Sequence, residues 1–459
     1  MSTEVLVPIT TKRAFYEEKR RRLPWYIASV AVNGLFCIFT VFGCVFTFFL
    51  DSLGMDYSQI GFLQSLFPLF GLLALFIARP VARVGVKRTF LAMNLARSLS
   101  VFFLIFAPWV LHRFGTEAAF FLLACVLGMF AIFRAIGETA FYPWDQEIVP
   151  NEVRGRVAGI NLVIGGAVSL IAMGIISYAL KAANGDVAGS IQESLGETVS
   201  TTVESSRLYV YQGLITVGVA FGILSTLLAT RCPGGRPAAS RDGEPTHYDA
   251  MMKALRDKNF VLFLGGLGVS SFCGSALTIF LPLYMNKEVG LSKSEAAFLY
   301  IPTTIGMWLS GVVMGWLADR RSGKLVLLIG QGISAFVLVG WCLVPKYSSA
   351  SFPLAVCIYC IQGSAGAACL VGFQRLLYNQ IVPEEKKTEY MAVYYAWTGV
   401  VGFFGMVFFG KLINYFKGME GGFLFFELNE FVPMFLTAML LSLLSIVLYS
   451  FVKSDHSTT

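Results

Sequence analysis

The stretch Gly315-Trp316-Leu317-Ala318-Asp319-Arg320-Arg321-Ser322-Gly323-Lys324 lies between two apolar runs, roughly 293–314 and 325–345, each of membrane-crossing length. Polar and charged residues squeezed between two such spans must form a tight turn at a membrane face. A fainter copy, Ala78-Arg79-Pro80-Val81-Ala82-Arg83-Val84-Gly85-Val86-Lys87-Arg88, again sits between apolar runs in the first half of the chain. The two turns are separated by about half the chain. A second pair, Glu147-Ile148-Val149-Pro150 and Gln380-Ile381-Val382-Pro383, is displaced by nearly the same amount. Similar shifts in two places mark an internal duplication.

Composition agrees. Of 459 residues, 56% are hydrophobic and only 14% charged, with a mean hydropathy of +0.69. No soluble core needs that much apolar residue, so the chain is a polytopic membrane protein. Apolar runs of about 20 residues fall at 24–50, 58–78, 89–110, 117–139, 155–180, 208–230, 259–285, 294–318, 325–345, 353–377, 389–412 and 429–452. Their period is helical, without the alternation of barrel strands. The expected fold is an all-α membrane protein with twelve transmembrane helices in two pseudo-symmetric six-helix bundles, 24–230 and 259–452. A basic tail (1–23) precedes them, a Pro/Gly-rich linker (231–258) joins them, and a short tail (453–459) follows. Residues 182–206, rich in Ser, Thr, Glu and Gly, read as a surface loop.

A net charge of +7 invites a nucleic-acid reading, but the placement of the charges excludes it. Of 35 Lys and Arg, 24 fall in the even-numbered loops and the termini, eight in the odd-numbered loops and three inside spans. That asymmetry is the positive-inside pattern and puts both termini in the cytoplasm; the expected location is a plasma membrane, a bacterial inner membrane. The basic cluster before Pro24 is no signal-peptide n-region, because the following apolar run is too long and lacks a small-residue cleavage site. Nine cysteines are scattered singly, and Cys357-x-x-Cys360 on an apolar helix reads as packing.

The charged turns resemble the Gly-x-Leu-Ala-Asp-Arg-x-Gly-Arg-Arg loop that major facilitator superfamily (MFS) transporters carry between helices two and three, and again between eight and nine. The second copy matches at Gly315, Leu317, Ala318, Asp319 and Arg320, with one extra residue before Gly323; the first has Ala82 in place of the Asp. The resemblance covers about 24–452. It implies two bundles rocking around a midplane site, and it implies that spans one, four, seven and ten line that site.

A charge at membrane depth costs several kcal/mol, so it is paired, faces a cavity, or both. Arg97, Arg134 and Arg375 fall inside spans. Arg134 and Glu138, four residues apart, share one helical face and can pair. Arg134 and Gly137 also match the Arg-x-x-Gly element of the family's fourth helix, which implies a substrate-binding or coupling role for Arg134. Glu138 is then the protonatable coupling partner, since no His lies in a span. On the lining implied by the resemblance, the substrate-binding candidates are Arg134, Asn33, Phe36, Thr40, Ser275, Thr278 and Gln362, with Phe272, Ser364, Tyr394, Tyr395 and Trp397 as further lining. Gly399, Gly402 and Gly405 suit close helix packing.

Glu147-x-x-x-x-x-x-Arg154-Gly155 is similar to the Glu…Arg-Gly element between helices four and five of sugar-porter-like facilitators, where acid and base tie to the charged turn. The resemblance implies a cytoplasmic gate built from Asp319, Arg320, Arg83, Glu147, Arg154 and Lys387. Each half keeps one acid and several bases for it.

The chain has no Walker loop, metal-ligand cluster, nucleotide fingerprint or nucleophile elbow, so neither an enzyme nor an ATP-driven pump is expected, and no cofactor. The fifth span lacks the Gly-x-x-x-Gly-Pro run typical of drug/proton antiporters. The expected function is a secondary transporter moving a small solute, anionic or amphiphilic, by alternating access, with protons as the coupling ion and the lipid bilayer as its other partner. The competing reading is a transporter-like sensor or lipid-handling protein that moves no soluble solute; the absent Asp at position 82 is its only support.

Overall fold

A computed structural model describes residues 9–149, 154–191, 198–235, 254–377, 381–382, 387–419, 421–423 and 426–453. Among these, eleven helices are long and apolar enough to cross a membrane. The remaining expected span, span two, is also helical. It runs as Tyr57–Phe70, a 3-10 turn at Gly71–Leu73, and Ala74–Val84. Pro68 and Pro80 lie within its two α segments, and a proline removes a backbone donor and disturbs the helix around it.

The spans begin where the sequence offers caps. Asp56 accepts from the Gln59 amide at 2.7 Å while the Gln59 side chain accepts from the Asp56 amide at 3.0 Å, closing a capping box at the start of span two. Ser292 and Glu295 close the same box before span eight. Gly54 and Gly290 precede the two boxes, at φ of 74° and 84°, a left-handed conformation that favours glycine. Gly54-Met55-Asp56-Tyr57-Ser58-Gln59 and Gly290-Leu291-Ser292-Lys293-Ser294-Glu295 are therefore one local structure used twice, once at the same place in each half. The duplication is visible in backbone and cap as well as in the charged turns.

Three segments differ from the sequence reading. The first helix starts at Ile9 and runs through Pro24 to Phe39, so residues 9–23 continue span one; a second segment, Cys44–Ser52, completes it. The expected loop at 182–206 is largely helix, because span five extends to Ile191 and span six begins at Thr198. Once a span is nucleated each further residue adds a hydrogen bond, so helices outrun the apolar window. Before span twelve the chain forms an antiparallel pair of three-residue strands, Gly421–Phe423 and Phe426–Leu428. Most of the expected linker, residues 236–253, lies outside the described residues.

Helix packing between the halves relies on close approach. A Cβ on Gly61 of span two would lie 2.5 Å from the Met406 carbonyl oxygen of span eleven, and one on Gly410 would lie 2.5 Å from the Tyr57 carbonyl oxygen. Gly399 and Gly402 face Pro68, while Gly405 makes the same kind of approach inside the second half, to Ser275 and Phe272. In lipid, where apolar surface gains nothing by leaving its solvent, van der Waals contact between backbones has to hold helices together, and small residues allow it. Large apolar side chains such as Phe336, Val312 and Phe121 are 70–80% exposed, as lipid contact permits.

The buried core is unevenly divided. At one end of the spans a single apolar cluster runs across both halves, with Phe46, Phe48 and Phe49 from the first and Phe280, Tyr284 and Phe431 from the second. Toward the charged turns the clusters separate: Trp144, Ile148 and Tyr26 in the first half, Phe260, Phe263 and Tyr449 in the second.

Candidate functional site

Between the halves lies a cavity of about 750 Å³. Span four contributes its charged pair. Arg134 Nε donates to Glu138 Oε1 at 2.7 Å, one helical turn along, and its guanidinium stands 4.8 Å from the centre of the Phe42 ring. The pair is part-exposed, 28% and 42%, so both groups reach into the cavity. The bond to Glu138 uses one of the five guanidinium N–H groups, and a planar fork of donors suits a carboxylate. Aromatic rings from both halves, Phe67, Tyr142, Tyr300 and Tyr395, line the same space with Gln64 and Thr398. The arrangement offers one cation, one carboxylate and several flat apolar faces, which is chemistry for holding a small aromatic or amphiphilic anion.

The structure brings Arg134, Glu138, Thr278 and Tyr395 to this cavity. Phe36 and Thr40 are instead fully buried; Thr40 donates to the Phe36 carbonyl at 2.6 Å and packs against Gly218. Ser275 is buried, donating to the Phe272 carbonyl at 2.6 Å. Gln362 accepts from Trp341 Nε1 at 3.2 Å within the second half. Asn33 binds Arg97 beside a separate, smaller chamber. Asn33, Phe36, Thr40 and Ser275 lie on other faces of spans one and seven, because tertiary packing sets the rotation of each span. Span ten, which carries Gln362, adds no residue to the lining of the cavity among the described residues; spans two, eight and eleven line it along with spans one, four and seven. Phe42, Gln64, Phe67, Tyr142, Tyr300 and Thr398 went unremarked in the sequence, where nothing separates them from other aromatic and polar residues at helical spacing.

Of the gate candidates, Asp319 binds Arg375, joining spans eight and ten inside the second half. Aligning Gln380 with Glu147 sets Arg375 opposite Tyr142, and aligning the charged turns sets Asp319 opposite Ala82. The first half therefore lacks both members of this ion pair. Arg320 lies 4.4 Å from the Trp316 ring, and Arg83 is exposed. Glu147 accepts from the Gly235 amide at 2.7 Å, tying span four to the start of the linker. The side chains of Arg154 and Lys387 lie outside the described residues.

Sequence reading missed a use of the charged turns. Lys87 donates to the carbonyls of Thr230 and Cys232, at 3.0 and 2.6 Å, at the end of span six. Lys324, its counterpart in the second turn, donates to those of Ser450 and Val452, both at 2.7 Å, at the end of span twelve. A cation there satisfies orphan carbonyls and opposes the negative end of the helix dipole.

At the opposite face the halves are latched. Asp51 sits between two lysines of the other half, 2.5 Å from Lys287 Nζ and 3.4 Å from Lys293 Nζ. Lys293 also donates to Ser52 Oγ at 2.9 Å, and Lys287 lies 5.0 Å from the Tyr57 ring. The Tyr57 hydroxyl donates to Glu430, and Ser177 donates to the Ser294 carbonyl at 2.9 Å. At the charged-turn end of the cavity, Tyr142 and Tyr395 bring their rings to 6.4 Å across the halves.

Comparison with known proteins fits this geometry. Over 189 residues the chain is 30% identical to a gallate transporter of Pseudomonas putida, a match that spans 39% of this chain and 40% of that relative. Solved structures similar over nearly the whole chain include a mutant form of the nucleoside transporter NupG (TM-score 0.67, 13% identity, 93% of this chain and 98% of that one). A D-xylose-proton symporter (0.66, 13%, 95% and 99%) is similar to the same extent. So is a bacterial homologue of the human lysosomal transporter Spinster, inward-facing and occupied (0.64, 18%, 94% and 96%). At such identities the likeness speaks for the fold alone. The profile of the Major Facilitator Superfamily matches residues 28–406 and 260–458, and the chain belongs to that family.

Proposed function

We propose that this protein is a secondary transporter for a small aromatic carboxylate, moved by alternating access of the two halves around the central cavity. The observation that carries the reading is Arg134, a cation facing a cavity walled by Phe42, Phe67, Tyr142, Tyr300 and Tyr395. A carboxylate would take the guanidinium fork and a ring would lie among the aromatic faces. The gallate transporter among its relatives supports that solute class. In this reading the solute displaces Glu138 from Arg134, and the freed carboxylate takes up a proton, which couples solute to proton flow.

The positive-inside pattern favours the charged turns and both termini on the cytoplasmic side, and the membrane proposed is a plasma membrane, a bacterial inner membrane. The latch around Asp51 is then external, and the separated clusters around the cavity make this an inward-facing state. The Asp319–Arg375 pair holds the second half's turn in place, while in the first half Glu147 ties span four to the start of the linker. The test is a thermal-stability screen of the purified protein against aromatic carboxylates, their uncharged amides, sugars and nucleosides. Stabilisation confined to the carboxylates, and abolished by Arg134→Ala, supports the reading. Equal stabilisation by the amides would remove it.

A further inference from the structure

Beside the central cavity lies a second chamber of about 190 Å³, within the first half between spans one, three, four and six. Its walls include Ser29, Asn33, Asn94, Arg97, Glu138 and Tyr142. Glu138 and Tyr142 also line the central cavity, so these two side chains form the partition between the spaces.

Arg97 is the unusual member. Only 7% of it is exposed. Its polar partner is the neutral Asn33 carbonyl, and the Phe36 ring lies 5.2 Å from the guanidinium. Its Nε is buried with no hydrogen-bond partner. The carboxylate on the chamber wall, Glu138, is already bound to Arg134 at 2.7 Å. Two guanidiniums and one carboxylate leave this cluster with one positive charge uncompensated at membrane depth. A buried guanidinium does not deprotonate, and an anion in the chamber would meet its charge.

Water alone would leave the net charge in place. Asn94 Nδ2 donates to Thr226 Oγ1 at 2.7 Å, and Thr226 in turn donates to the Gly222 carbonyl at 3.0 Å, which fixes the amide with Oδ1 unpartnered. A water molecule could donate to Asn94 Oδ1 and accept from Arg97, satisfying both orphan groups while leaving the charge. The chamber has room for more than one water.

We propose that this chamber is a monovalent-anion subsite with Arg97 as its cation. The anion is either a free halide or the carboxylate arm of a solute held in the central cavity, reached past the Glu138–Tyr142 partition. The halide case stands independently of the proposed transport function; the carboxylate case rests on it.

The experiment uses the full chain, purified in detergent, with the unfolding temperature followed as sodium chloride replaces sodium gluconate at constant ionic strength. A second titration uses sodium benzoate in gluconate. Wild type, Arg97→Gln and Arg97→Lys are compared. A saturable rise with chloride, weakened roughly tenfold or more in Arg97→Gln, assigns the chamber to a free halide. A saturable rise with benzoate alone, weakened by Arg97→Gln, assigns it to the solute's carboxylate. Arg97→Lys keeps the charge without the fork and should bind the same anion more weakly, which covers the case in which Arg97→Gln does not fold. No saturable response of the wild type to either anion would overturn the proposal, as would responses in Arg97→Gln equal to those of the wild type. The chamber would then hold water only.

Discussion

Asp51 and Lys287 occupy equivalent positions in the two halves and bind each other at 2.5 Å. Their equivalence follows from the repeated cap, since Asp51 precedes Gly54 by the same spacing as Lys287 precedes Gly290. The relation extends to their neighbours. Tyr57 and Lys293 are equivalent in the same register, and the two remaining contacts, Lys293 with Asp51 and Lys287 with Tyr57, exchange when the halves are interchanged. The latch is thus arranged about the pseudo-twofold axis, with an ion pair joining the two copies of one position. Such a contact forms only when the two halves meet at this face, so it reports directly on the closed state.

Asp51→Asn should therefore favour opening at the Asp51 face. Lys287 is 38% exposed and Asp51 11%, so screening limits the effect to about 1 kcal/mol, a roughly fivefold change in population. Spin-label distances between the Asp51-face ends of the halves should show a larger long-distance fraction in the mutant. Reversing the pair, Asp51→Lys with Lys287→Asp, should restore closure only in part, because Lys293 would then face a lysine.

Gly61→Ala should destabilise the protein by about 1–3 kcal/mol, because the new methyl would meet the Met406 carbonyl at 2.5 Å across the halves. Gly274→Ala has nothing within 4 Å of the added methyl and serves as the matched control. Reversible unfolding in detergent or bicelles checks the difference. Equal stability of the two variants would remove close backbone approach as the reason for glycine at the crossing of spans two and eleven.

Lys87→Met and Lys324→Met should each cost about 0.3–1 kcal/mol, the worth of a cation at a helix C-terminus. The two sites sit in different halves and share no partner, so the double mutant should equal the sum within about 0.5 kcal/mol. A much larger cost for one than for the other would show that the duplicated contact has diverged in use.

How much of this was legible beforehand follows from what kind of signal each feature leaves. Spans and charged turns are composition, so they read out directly. The Arg134–Glu138 pair is local, four residues apart on one helix, and needed no tertiary knowledge. The span-eleven glycines were read as packing residues, and their partners turned out to be Pro68, Ser275 and Phe272. Arg375 with Asp319, and Asp51 with Lys287, are products of the fold, and single residues on different helices carry no mark of each other. Phe36, Thr40 and Ser275 failed as cavity residues for a related reason. A helix in a bundle has neighbours on several sides, and apolar periodicity does not separate a cavity-facing side from one facing another helix. The repeat of Gly54–Gln59 at Gly290–Glu295 was present in the sequence all along, but its two copies share residue roles more than residue identities.

Glu138→Gln removes the protonatable partner of Arg134. In the proposed mechanism it should abolish the dependence of solute accumulation on an imposed pH gradient while leaving solute exchange at equal pH intact. Proteoliposome flux with and without the gradient separates these outcomes. Loss of both equally would place Glu138 in positioning Arg134 instead of coupling.

The central claim is that Arg134 holds the carboxylate of an aromatic solute in the cavity between the halves. Counterflow of radiolabelled gallate or benzoate into proteoliposomes preloaded with the same compound tests it most directly, because counterflow needs binding and alternation but no driving ion. The account predicts saturable counterflow in the wild type, at least about tenfold weaker apparent affinity in Arg134→Ala, and partial recovery in Arg134→Lys. Counterflow in Arg134→Ala with unchanged affinity would contradict it.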